Sequence, residues 1–115
     1  LAAASGCGLL VDVNNIHVSA ANLGLDAPWL IDQLPAGQVE EIHVAGHRRD
    51  GGGTLLIDSH DAPVAADVWA LAGKLLGRTG PRPILLERDA ELPSLADLLA
   101  EAAMAAELLN HADAR

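Results

Sequence analysis

The stretch "TLLIDSHDAPVAADVWALAGKLLG", residues 54–77, decides the fold. Its first part is an uninterrupted aliphatic run, Leu55 to Ile57, which is typical of a strand buried on both faces. After a proline, apolar residues recur at helical spacing and form one stripe: Val68, Leu71, Ala72, Leu75 and Leu76. The stretch therefore predicts a strand, a polar turn with Asp61 as the cap of the following helix, and a helix that begins near Pro63 and ends near Gly77 and Gly80.

The same alternation runs through the rest of the chain. Strand patterns occupy residues 8–15, 39–47, 54–60 and 83–89. A helical pattern occupies residues 28–34, with Asp26 as the cap of that helix. Another follows Ser94, which forms a capping box with Asp97. The opening "LAAASG" resembles the last turn of a helix closed by Gly6, so we expect earlier turns to be missing. One α/β domain, residues 1–115, with four mainly parallel strands is predicted.

One connection leaves two topologies open. The segment "GHRRDGGGT", residues 46–54, is too short for a covering helix, and a parallel crossover normally needs about a dozen residues. A glycine-rich loop of this length closes a hairpin or runs back bare along a short strand. If this segment forms a hairpin, we do not expect the polar ends of all four strands to meet at one place.

Composition excludes several classes of function. Seven basic and sixteen acidic residues give a formal charge of −9, and the only aromatic residues are Trp29 and Trp69, so neither a DNA nor an RNA partner is expected. No apolar stretch approaches the about 20 residues that span a membrane. The single cysteine, Cys7, excludes an internal disulfide framework and favours a cytoplasmic location. No base is visible for Cys7 or Ser59, and no P-loop is present.

Polar side chains follow each predicted strand, and these indicate a metal site. Sites in parallel α/β folds form at the carboxyl ends of the strands, and mixed carboxylate, imidazole and amide groups suit a divalent metal. Spacing of two places Asp58 and His60 on the same side of a strand. The candidates are Asp12, Asn14, Asn15, His43, His47, Asp58, His60, Glu87 and Asp89.

Each candidate also has an ordinary structural interpretation. His43 suits a core histidine bonded to the backbone, and Glu87 suits an ion pair with Arg88 or Arg82. Asn14 and Asn15 suit a turn, and His17 and His111 suit solvent or helix packing. The joint pattern favours a cation, because unpaired charges at four strand ends are costly unless something neutralises them.

The order of these motifs resembles a known family. "GCGLLVDVNNIHVSAANLG", "EIHVAGH", "LIDSHDAPV" and "ILLERD" are similar to the C-terminal half of the multinuclear non-haem iron-dependent oxidative enzymes, and the match covers nearly the whole chain. The resemblance implies that the chain is the C-terminal half of a xylose-isomerase-like (β/α)8 TIM barrel, with strands five to eight of that barrel.

The resemblance also implies roles for individual residues. The implied metal ligands are Asn15, His43, Asp58, His60 and Glu87, with Asn14 as the rival of Asn15 because only one of two neighbours on a strand points inward. Asp12 and His47 are implied to orient ligands or to contact substrate. The family often carries a tryptophan where this chain has Arg88.

The implied activity is oxidative. Family members hold two or three iron ions, use dioxygen and remodel cysteine residues of a ribosomally made precursor peptide, typically with a partner protein that presents the peptide. Two histidines and a bridging glutamate of the family's site come from the first half of the barrel, so the 115 residues alone are expected to be inactive. Two alternatives remain: another metal-dependent barrel enzyme, an isomerase or hydrolase, and a non-catalytic half-barrel that binds a partner.

Overall fold

The structure is a computed structural model that describes residues 1–114. Five α-helices and five strands alternate along the chain, together with one 3-10 turn at Ala36–Gln38. Their bounds are α1 Ala2–Ser5, β1 Leu9–Asp12, α2 Val13–Leu23, α3 Ala27–Gln33, β2 Val39–Ala45, β3 Arg48–Arg49, β4 Leu56–Ile57, α4 Ala66–Thr79, β5 Ile84–Glu87 and α5 Leu95–Asp113. Within residues 1–114, no helix combines the length and the apolarity that a membrane crossing requires.

A parallel sheet of three strands in the order β1-β2-β5 forms the centre of the molecule. One face of this sheet packs against the helices through buried residues such as Val11, Ile42 and Val44. The stripe of α4 that the sequence predicted is buried on this face as well. On the opposite face Leu10 and Leu85 are 55% and 45% exposed, so the helices cover only one side of the sheet. The prediction of a mainly parallel α/β fold is confirmed.

The prediction of four strands in that sheet is wrong. The third aliphatic run contributes only β4, which pairs antiparallel with β3 in a separate hairpin. The carboxylate of Asp50 closes the turn by accepting hydrogen bonds from the backbone N–H groups of Thr54 and Leu55, at 2.8 and 3.2 Å. The short connection between residues 46 and 54 accounts for the hairpin, since it cannot carry a parallel crossover.

The chain nevertheless returns to the parallel sheet directly after the hairpin. The backbone N–H of His60 donates to the carbonyl of Gly46 at 3.0 Å, and the carbonyl of His60 accepts from the N–H of Asp89 at 2.8 Å. His60 therefore lies between the carboxyl ends of β2 and β5, where those two strands stop pairing with each other. The expectation that a hairpin would keep the strand ends apart is wrong for this reason.

Helix boundaries follow the capping residues, with two differences from the prediction. Asp26 and Ser94 accept the expected hydrogen bonds at the starts of α3 and α5, and Gly6 and Gly80 end α1 and α4 with positive φ. Helix α2, where the sequence indicated strand and turn, begins directly after β1 because the side chain of Asp12 caps it.

The second difference concerns Asp61 and the start of α4. Helix α4 begins at Ala66, and no side chain caps it. Asp61 instead accepts a hydrogen bond from the hydroxyl of Ser59 and lies 3.5 Å from Nε of Arg48. The role predicted for Asp61 as a helix cap is therefore wrong, because Pro63 lies in the extended segment before the helix.

Candidate metal centre

Three side chains converge at the carboxyl edge of the parallel sheet. Asp12 ends β1, Glu87 ends β5 and His60 lies beside the end of β5, and one ligand atom from each lies within 4.8 Å of the other two. Metal–ligand bonds of about 2.1 Å place two ligands of one ion at most about 4.2 Å apart. A shift of less than about 1 Å would therefore bring all three onto a common ion.

His60 is held in this position by an unusual backbone conformation and by carboxylates. Its φ is +53°, in the left-handed region, which turns the chain between the two strand ends. Its Nε2 lies 2.9 Å from Oδ1 of Asp58, and its Nδ1 lies 3.1 Å from Oδ2 of Asp89 and 3.9 Å from Oε2 of Glu87. The two side chains contact each other, although they do not lie on a strand as the spacing predicted.

The charges around His60 shift its pKa. Burial alone would lower the pKa of this imidazole. Nearby carboxylates outweigh burial and raise the pKa above its ordinary value of 6.5. These carboxylates belong to Asp58, Asp89, Glu87 and Asp12. The environment therefore favours a positive charge at this point.

His43 extends the same cluster along the exposed face of the sheet. Its Nδ1 lies 3.3 Å from Oε1 of Glu87, and its Nε2 lies 2.6 Å from Oε1 of Glu41. The side chain of His43 is 12% exposed. His43 therefore contacts two carboxylates rather than the backbone group expected of a core histidine, and Glu87 pairs with imidazoles rather than with an arginine.

Asn14 and Asn15 both reach Asp58, from the first turn of α2. The amide of Asn14 donates to Oδ1 of Asp58 at 2.5 Å, and the amide of Asn15 donates to Oδ2 at 3.3 Å. Only Asn14 is buried, as expected for one of the two, but both contact Asp58 because they lie on a helix rather than on the expected strand. Asp12 accepts from the backbone N–H of Asn15 at 2.9 Å, which ties the helix start to the cluster.

His47 joins the cluster through Asn14. Its Nδ1 lies 2.8 Å from Oδ1 of Asn14, and its ring centroid lies 4.8 Å from that of His17. Burial and the neighbouring His17 lower the pKa of His47 below 6.5, which favours the neutral form of this imidazole. All nine candidates named from the sequence thus belong to one connected network.

Two acidic contacts had been given no role at the site from the sequence. Glu41 contacts His43, and the signal for it was its position two residues earlier on the same strand. Asp89 contacts His60, and its place after the last strand had been noted without a role. Both add negative charge beside the imidazoles.

The loop that carries Asp58 and His60 is fixed by close packing and by a partly buried ion pair. A Cβ at Gly46 would lie 1.9 Å from the carbonyl oxygen of Ala62, so only glycine fits beneath the loop. Oε2 of Glu101 accepts the backbone N–H of Val64 at 2.7 Å, while its Oε1 lies 3.5 Å from Nη2 of Arg88. Arg88 thus supports the loop from behind, with a side chain only 8% exposed.

The donor set fits a borderline divalent cation. Two imidazoles and at least three carboxylates are linked by a chain of pairwise contacts. The nearby cationic side chains point to other acids, Arg88 to Glu101 and Arg48 to Asp61. Imidazole suits iron, zinc and similar ions, and carboxylates supply the opposing charge. The cluster is therefore a candidate site for such a cation.

Comparison with known proteins places the chain in a family. The sequence matches the family described as RiPP precursor modification enzyme MbnB/TglH/ChrH over residues 1–110. A UPF0276 protein of Caulobacter vibrioides is 57% identical over 102 residues, which are 88% of this chain and 36% of that protein. A UPF0276 protein of Bordetella pertussis is 55% identical, with 88% of this chain and 36% of that protein covered.

A third relative extends the match along the chain. A UPF0276 protein of Rhizorhabdus wittichii is 47% identical over 110 residues, which are 96% of this chain and 39% of that protein. The chain thus spans less than two fifths of the length of these relatives. The match over residues 1–110 confirms the resemblance read from the four motifs, and the chain belongs to the MbnB/TglH/ChrH family of RiPP precursor modification enzymes.

Proposed function

We propose that these residues form part of an iron- and dioxygen-dependent enzyme that oxidises cysteine residues of a ribosomally made precursor peptide. The observation that carries the proposal is the convergence of Asp12, His60 and Glu87 in a chain of a RiPP-modifying family. The proposal includes a partner protein that presents the peptide. Iron suits this donor set, since imidazole and carboxylate ligands with open coordination positions are typical of non-haem iron oxygenases.

The proposed ligands divide between two parts of the network. Glu87 and His43, with Asp12, lie on the exposed face of the sheet, and Asp58, His60 and Asn15 lie on the loop and helix beside it. Bound iron would supply the open positions at which thiolate and dioxygen bind. The contribution of the chain is to hold carboxylates and imidazoles in fixed positions before any ion binds. We name Asn14 and His47 as residues that support this arrangement rather than ligands.

We also propose that the fold is the C-terminal half of a (β/α)8 barrel. Three parallel strands carry helices on one face only, and the opposite face exposes Leu10 and Leu85. An inward barrel surface would account for this bare face, and the chain spans only 36% of the Caulobacter relative. The remaining iron ligands would then come from strands outside these 115 residues.

The test uses the complete gene product that contains this chain, purified anaerobically. We expect it to contain iron and to consume dioxygen when it is co-expressed with a cysteine-containing peptide encoded beside it, and we expect mass spectrometry to show oxidised cysteine. His60→Ala and Glu87→Ala are expected to remove at least one bound ion, since each deletes a proposed ligand. His111→Ala and Glu107→Ala, on the surface of α5, are matched controls that should retain the metal.

Three results would contradict the proposal. A protein without iron would exclude the oxidase. A protein with bound metal but without dioxygen uptake would favour an isomerase or a hydrolase. Retention of full metal content in both His60→Ala and Glu87→Ala would favour a non-catalytic binding module, because the cluster would then hold no ion.

A further inference from the structure

Asn14 is the one fully buried polar side chain among residues 1–114, with 0% exposure. Its amide nitrogen donates to the carbonyl of Gly46 at 3.2 Å and to Oδ1 of Asp58. Its amide oxygen faces Nδ1 of His47 at 2.8 Å. A buried amide is costly unless its groups find partners, and here the donors and the acceptor are all used.

These partners determine the orientation of the amide and, through it, the tautomer of His47. A backbone carbonyl and a carboxylate can only accept hydrogen bonds, so the amide nitrogen must face Gly46 and Asp58. The amide oxygen must therefore face His47, and it can only accept. Nδ1 of His47 is then the protonated nitrogen, and Nε2 of the neutral ring carries the lone pair.

We infer that Asn14 is a positioning residue that couples the Asp58 carboxylate to the His47 ring and fixes the Nδ1–H tautomer of that ring. The inference rests on the proposed function in so far as Asp58 is a metal ligand. Asn15 cannot take over this task, because it reaches the other oxygen of Asp58 from an exposed position and does not contact His47. His47 thereby belongs to the metal centre although it contacts no carboxylate directly.

No other side chain of similar size satisfies the same three groups. Aspartate at position 14 would place a second carboxylate against Asp58 and would offer no donor to Gly46. Alanine would remove one of the two contacts of the Gly46 carbonyl and of Oδ1 of Asp58, and it would leave the N–H of His47 without its acceptor. Residues that orient metal ligands in this way typically contribute about 10- to 100-fold to metal affinity.

The first experiment measures the tautomer directly in the metal-free, chelator-treated gene product, labelled with ¹⁵N in its histidine rings. Long-range ¹H–¹⁵N spectra distinguish ring nitrogens that carry a proton from those that do not. The signals of the His47 ring are identified as the set that disappears in the His47→Gln variant. We expect Nδ1 of His47 to be protonated and Nε2 to be bare above pH 7. An Nε2–H tautomer would overturn the inference, and this measurement needs no folded Asn14 variant.

The second experiment measures the affinity for Fe(II) by anaerobic titration. Asn14→Ala and His47→Leu are each expected to weaken binding at least about tenfold, whereas His47→Gln, which keeps a donor toward Asn14, should restore most of the affinity. Asn110→Ala, on the exposed side of α5, is the matched control. Circular dichroism identifies variants that do not fold, and the two His47 variants carry the test if Asn14→Ala is one of them.

The outcomes separate this inference from the proposed function. If the wild-type protein binds no Fe(II) while its His47 ring shows Nδ1–H, the proposed function fails and the tautomer assignment stands. If the wild-type protein binds Fe(II) and both Asn14→Ala and His47→Leu bind it equally well, the coupling between Asn14 and Asp58 is refuted and the metal centre stands.

Discussion

Replacement of Gly46 with alanine is expected to displace the loop that carries Asp58 and His60. A Cβ at this position would lie 1.9 Å from the carbonyl oxygen of Ala62 and 2.8 Å from that of Pro63, whereas real Cβ contacts are essentially never closer than 3.0 Å. Both atoms belong to the backbone and cannot rotate away. The loop must therefore retreat by about 1 Å, which places the substitution at the upper end of overpacking costs, about 3 kcal/mol.

The same displacement reaches the metal centre. The N–H of His60 donates to the carbonyl of Gly46, and His60 lies only two residues before Ala62. Urea denaturation of the complete gene product measures the free energy of unfolding, and titration with Fe(II) measures the affinity of the centre. We expect a loss of about 3 kcal/mol and a fall in affinity of about 10- to 100-fold.

Gly51→Ala is the control for this change. Gly51 lies in the hairpin turn, and a Cβ there meets nothing within 4 Å, so its effect should stay within about 1 kcal/mol. If Gly46→Ala unfolds at the same urea concentration as Gly51→Ala and binds Fe(II) as tightly as the wild type, the loop does not pass over Gly46 as described, and the reasoning is refuted.

Two further predictions concern pH and the ion pair behind the loop. In metal-free protein, NMR titration should give His60 a pKa above 6.5 and His47 a pKa below 6.5. The stability that His60 contributes is then present below pH 6.5 and is lost as the pH rises through the pKa of His60 in the folded protein. The stability that His47 contributes is present above pH 6.5 and is lost as the pH falls through the pKa of His47 in the folded protein. Equal midpoints would contradict both shifts. Glu101→Ala should cost about 3–5 kcal/mol in urea denaturation, because it leaves the Arg88 guanidinium largely buried without its partner. Glu101→Gln keeps an acceptor for Val64 and should cost less. Unchanged stability in Glu101→Ala would show that the ion pair contributes nothing.

The sequence was sufficient to predict most of the elements and most of the side chains that meet at the carboxyl edge of the sheet. Aliphatic runs and capping residues such as Asp26 and Ser94 act locally, so β1, β2, β5 and three of the helices could be recognised from short windows. The residues at strand ends did converge, since parallel strands present their carboxyl ends at one edge of a sheet.

The geometry of the centre could not be predicted, because it depends on long-range contacts. The segment from Asp58 to His60 does not continue as a strand, and a left-handed residue between Gly46 and Asp89 sets its path. The role of Asp12 changed for a related reason, since its side chain both begins α2 and lies within reach of His60 and Glu87. Gly24, which ends α2 with positive φ, was the local signal that could have revealed the helix.

The immediate start of α2 after β1 has an electrostatic consequence for the centre. The peptide dipoles of an α-helix add up to roughly half a positive charge at its N-terminus. The first turn of α2 contacts Asp58 through Asn14 and Asn15, and Asp12 caps the same turn. Part of the repulsion among these carboxylates is thus offset by the backbone itself. The acidic cluster therefore depends less on a bound cation for its stability than the number of its carboxylates alone would indicate.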